Sequence, residues 1–93
     1  MKSSLKVEVT QADIDKGIPG SVKWCAVARA VRHAMPKATN IKVGGFYITW
    51  CHDGKAWEYT FPQRVSQKIV NFDCGGKIKP FSFNIPLRKV VRL

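Results

Sequence analysis

The sequence predicts a single α+β domain built on a four-stranded, mostly antiparallel sheet with two helices on one face. Three observations predict it. Apolar and polar residues alternate in several short runs, as half-buried strands require. Between residues 22 and 35 the apolar positions recur at steps of three and four, as an amphipathic helix requires. Asp53-Gly54 separates two alternating runs, and a tight hairpin needs residues there that tolerate positive φ. Ninety-three residues suffice for one domain and not for two.

Each element has a local reason. Leu5, Val7 and Val9 share one face of a first strand, with Lys6 and Glu8 on the other. Thr10 can cap a short turn over residues 12–16, which Gly17 ends, and Asp13 and Asp15 suit a helix start electrostatically. Ser21 is a good N-cap for a helix over 22–35 that Pro36 stops. Its stripe is Trp24, Val27, Ala28, Val31 and Met35, and its opposite face carries Arg29, Arg32 and His33.

Residues 41–52 read as one strand, bulged at Gly44-Gly45, returning after the hairpin over 57–61. Pro62 opens a second helix whose apolar side is Val65, Ile69 and Phe72, and Gly75-Gly76 supplies its left-handed stop. A last strand over 78–85 has Phe81, Phe83 and Ile85 on one face, with Pro80 and Pro86 marking an edge or strand ends. The basic tail 87–93 alternates charged and apolar residues and leaves a flexible extension open. Strand, helix, strand, strand, helix, strand is the ferredoxin-like order.

Charge carries the functional expectation. Sixteen Lys and Arg oppose six Asp and Glu, a formal net charge of +10. Such an excess attracts phosphate backbones, anionic surfaces or acidic proteins, and salt screens the attraction. No acid lies between Asp15 and Asp53, or after Asp73. The candidate binding residues are therefore Lys23, Arg29, Arg32, His33, Lys37 and Lys42 around the long helix. Lys77, Lys79, Arg88, Lys89 and Arg92 form a second set near the C-terminus. The expected partner is nucleic acid, held by its phosphates, or an acidic protein. Membrane attachment is not expected, because the long helix commits its apolar side to the core. An exposed edge strand leaves a homodimer open.

Catalysis, metals and cofactors are not expected. Cys51 and His52 are strand neighbours and point to opposite faces, and Cys25 and His33 stand beyond direct reach on the helix. A Cys-dependent enzyme is thus the outsider. Cys25, Cys51 and Cys74 lack the close spacing of zinc ligands, and neither glycine pair has phosphate-loop spacing. The alternation assigns Trp57, Tyr59 and Phe61 to the core, which leaves no stacking platform on the open sheet face. An odd cysteine count without an export signal reads as reduced thiols in a cytoplasm.

Three stretches carry a resemblance. The run Thr10-Gln11-Ala12-Asp13-Ile14-Asp15-Lys16-Gly17 leads to Gly20-Ser21 and then Cys25-Ala26-Val27-Ala28-Arg29-Ala30. Phe72-Asp73-Cys74-Gly75-Gly76 precedes Pro80-Phe81-Ser82-Phe83. The chain resembles a group of small uncharacterised proteins encoded by bacteriophages and prophages. The resemblance implies an accessory protein of the bacterial host cytoplasm, without a transferable activity. It also brings in the alternative that the basic surface inhibits a host nucleic-acid-handling or defence complex, in the manner of an anti-CRISPR or host-takeover protein.

Overall fold

The computed structural model describes residues 4–93. Along the chain run β1 (Ser4–Val9), α1 (Gln11–Lys16), α2 (Ala26–Ala34), β2 (Thr39–Val43), β3 (Tyr47–His52), β4 (Lys55–Thr60), α3 (Gln63–Asp73), β5 (Phe81–Pro86), a 3-10 turn (Leu87–Lys89) and β6 (Val91–Arg92). The class is α+β, and every strand pairing is antiparallel.

The single ferredoxin-like sheet is not what forms. β1 pairs with β5 in a two-stranded ribbon, and β2-β3-β4-β6 form a separate sheet. Helix α2 accounts for the division. Ala26, Val27, Ala28, Ala30 and Val31 are all buried, so the helix is covered on much more than one stripe. It packs against both β1 of the ribbon and β2 of the larger sheet. One helix thus contributes to the packing of both sheets.

Aromatic contacts join the halves again. In the ribbon, Val7 stands opposite Phe83 and Val9 opposite Phe81. The Phe83 ring meets Phe61 edge-on at 5.7 Å, and Phe61 meets Tyr59 at 6.0 Å, so the core is continuous from β5 to β4. Ile48, Ile69 and Ile85 are fully buried in it. Truncating any of them to alanine would cost about 2–5 kcal/mol.

Other boundaries move for local reasons. Helix α2 begins at Ala26, later than its periodicity implies. The Ser21 hydroxyl accepts from the Trp24 N–H, closing a separate turn, and the Val43 N–H bonds to the Val22 carbonyl, tying this turn to β2. Trp24 is therefore no part of the helix stripe, and half its surface is exposed (51%). The expected strand over 41–52 is two strands, with Gly44-Gly45 in the turn between them. The register shift falls instead between Thr39 and Lys42, where Asn40 has φ +51°.

The Asp53-Gly54 hairpin forms with both residues at positive φ, +54° and +71°. Two turn residues then set the whole register, His52 opposite Lys55 and Trp50 opposite Trp57. Helix α3 follows Pro62, buries Val65, Ile69 and Phe72, and stops before Gly75 at φ +84°. The tail is not a loose extension. Arg92 pairs with Trp57 and Val91 with Glu58, and the Leu93 N–H donates to the Ala56 carbonyl.

Candidate functional site

The basic face of α2 is divided by one carboxylate. Thr10 and Asp13 form a reciprocal capping box: the Asp13 N–H donates to Thr10 Oγ1, and the Thr10 N–H donates to Asp13 Oδ2. This local geometry fixes Asp13 against α2, where it is 1% exposed. Its other oxygen, Oδ1, faces Arg29 Nε at 3.6 Å and His33 Nδ1 at 3.8 Å. Neither Oδ1 nor Arg29 Nε has a hydrogen-bond partner, so each is the principal electrostatic company of the other. Arg29, 27% exposed, thus faces a buried carboxylate, whereas His33 keeps 72% of its side chain in solvent.

Arg32 turns the other way. Its guanidinium lies 4.1 Å above the Trp24 ring and donates to the Lys23 carbonyl. Because Val22 is bonded to Val43, Lys23 and Lys42 occupy neighbouring positions of paired segments. Arg32 thus covers an exposed indole, with Lys23 beside it in the chain and Lys42 on the neighbouring segment. No residue of this group is paired with a carboxylate.

A third grouping lies at the hairpin end of the four-stranded sheet. Trp50 and Trp57 are cross-strand partners on its inner face and floor a cleft of about 530 Å³. Met35, Pro36 and Ala38, just beyond α2, form one wall, and Leu87 and Val90 form the other. Lys37 and His52 are the polar members of the lining, which contains no carboxylate. Arg92 stands opposite Trp57 in β6, on the same sheet face. Arg88 is exposed in the turn between the two wall residues. Lys37, in the lining, and Arg92, opposite Trp57, thus come from separated parts of the sequence to flank one cleft, and Arg88 follows the wall residue Leu87 in the chain.

The remaining cations lie elsewhere. Lys89 lines a hollow of about 290 Å³ shared with Glu58. Lys77 and Lys79 precede β5 whereas Arg88 follows it, and six strand residues at about 3.3 Å each separate them by roughly 20 Å. On the outer face of the large sheet, Lys42, Thr49, Glu58 and Val91 run in register, with Tyr47 opposite Thr60. That polar row offers no array of rings.

Sequence reasoning missed the cleft. A signal was present: a two-residue turn at Asp53-Gly54 already sets Trp50 opposite Trp57. The walls carried no comparable signal, because Met35 and Leu87 meet only through the tertiary fold.

The thiols are all unpaired. Burial pushes the Cys25 thiol up from its ordinary 9.0, a backbone contact from Ala28 opposes this, and the Asp73 carboxylate adds to it. A buried thiol held neutral is a poor nucleophile. Among the described residues, no three His, Cys, Asp or Glu side chains converge as a metal site, and no helix is long and apolar enough to cross a membrane. No protein-family model, curated protein or solved structure matches this chain.

Proposed function

We propose that this protein is a non-catalytic nucleic-acid-binding module that holds phosphates through cations at the hairpin end of its large sheet. The observation that carries the reading is a cleft with no carboxylate in its lining, with Lys37 in that lining and Arg92 opposite its Trp57. Lys23, Arg32 and Lys42 supply a second foothold beside Trp24. Among the described residues, Lys6 and Arg29 are the only Lys or Arg side chains in an ion pair, so the excess charge stays available to a polyanion. Phosphate contacts of this kind position a partner and read little sequence. The resemblance to phage-encoded proteins supports a place of action in a bacterial cytoplasm.

Fluorescence anisotropy with labelled oligonucleotides across a salt series tests the proposal. Binding should weaken linearly on a double-logarithmic scale as salt rises, since each neutralised phosphate releases counterions. Failure to bind at low salt, or affinity indifferent to salt, removes the reading. Capture from a nuclease-treated bacterial lysate separates it from the host-inhibitor alternative. Loss of all bound material with the nucleic acid supports direct binding, and a stoichiometric host protein that survives treatment refutes it.

A further inference from the structure

We infer that the Trp50–Trp57 cleft is a seat for one unpaired base of a single-stranded nucleic acid, an inference that rests on the nucleic-acid reading above. Its floor is two indoles side by side on one sheet face, and its walls include Met35, Pro36, Leu87 and Val90. A volume of about 530 Å³ falls within the range of roughly 300–1,000 Å³ typical of small-ligand sites, ample for a heteroaromatic ring.

The charge at the mouth selects among possible occupants. Lys37 and His52 are part of the lining, and Arg92 is the register partner of Trp57. The neighbouring carboxylate, Asp53, lies in the hairpin turn, 3.5 Å from His52. A wholly apolar ligand would leave Lys37 and Arg92 without a counterpart. A bare anion would leave the indole floor unused. A flat ring joined to a phosphate matches both features, with the base on tryptophan and the phosphate on Lys37 and Arg92. Duplex bases hide their faces in the stack, so only an unpaired base can enter.

The test uses the full chain with Trp24→Phe, which leaves Trp50 and Trp57 as its only indoles. Three probes are compared at one low salt concentration: an oligothymidylate of about twelve nucleotides, an abasic chain of equal phosphate number, and a duplex of equal length. Small single-strand-binding folds cover roughly 4–16 nucleotides, so the probes span one site. Oligothymidylate should quench the indole fluorescence and bind roughly tenfold more tightly than the abasic chain, the increment expected for stacking one base. Trp57→Ala should abolish that difference and keep the affinity for the abasic chain.

Equal binding of oligothymidylate and abasic chain without quenching overturns the base seat and leaves phosphate binding standing. Equal quenching by duplex overturns the requirement for an unpaired base. Binding of no probe overturns the underlying reading and this inference with it. The comparison between ligands needs no substitution in the cleft, so it holds even if Trp57→Ala fails to fold.

Discussion

Arg29 and Arg92 are both cations, yet the fold gives them opposite surroundings. Arg29 faces a buried carboxylate that is itself locked by a capping threonine. Arg92 stands beside an indole at the edge of a cleft lined by no acid. The difference teaches that a basic cluster in sequence says little about binding until the few acids have been located. With only six acids, the position of each decides the fate of several cations. Asp13 engages Arg29 beside α2, whereas the lining of the cleft at the hairpin end holds Lys37 and no carboxylate, its nearest acid being Asp53 in the turn beside His52.

The contrast can be broken most forcefully at Asp13. Asp13→Ala removes both the capping box and the counter-charge of Arg29, and should destabilise the fold by about 2–4 kcal/mol in urea unfolding. Where the variant remains folded, its affinity for an oligonucleotide should not fall. A loss below 1 kcal/mol would mean that the Asp13 contacts are ornamental.

Next come the cations at the cleft. Replacing Lys37, Arg88 and Arg92 together by alanine should lower affinity for a single-stranded oligonucleotide roughly a hundredfold at 0.1 M salt, because each phosphate contact on a single strand contributes about a 0.7 power of salt. Unfolding free energy should change by less than about 0.5 kcal/mol, as for surface substitutions away from special features. Thr10→Ala, which deletes the cap while leaving Asp13 in sequence, should cost about 1 kcal/mol in urea unfolding and leave binding unaltered.

The smallest effect comes from the apolar side of α2. Burial raises the pKa of Cys25, and also that of Tyr59, whose phenol is pushed up from 10.0 against the opposing influence of Arg64. An acid whose folded value lies above its unfolded one adds stability that is complete below the unfolded value and is lost as pH rises through the folded one. Unfolding free energy should therefore fall as pH rises past 9.0, and Cys25→Ala should lessen that fall. Native thiol alkylation should follow the same order, with exposed Cys74 first and Cys25 only after unfolding.

Legibility from sequence tracked the range of the interactions. The hairpin and the cap at Thr10 were readable because their partners lie within a few residues of one another. The end of α3 was readable because a left-handed glycine is a local necessity. The division into two sheets was not, since Ala26, Ala28 and Ala30 look like ordinary helix formers until the fold buries all three against its neighbours. Trp24 was placed in the helix because its spacing fits, but the Ser21 turn and the bond from Val43 to Val22 take it out. At the candidate site, Lys37 and the tail cations were identified singly. Their union around Trp50 and Trp57 depends on the pairing of β6 with β4, which two residues of strand do not announce.

The proposed division of labour assigns Arg92 to a ligand and Arg29 to the fold. Salt-dependent oligonucleotide binding by Arg92→Ala and Arg29→Met, each confirmed as folded by circular dichroism, tests this most directly. Arg92→Ala should flatten the slope of log affinity against log salt by about one unit, and Arg29→Met should leave it as in the parent protein. An unchanged slope for Arg92→Ala, or an equal loss for Arg29→Met, would contradict the division of labour between the two regions.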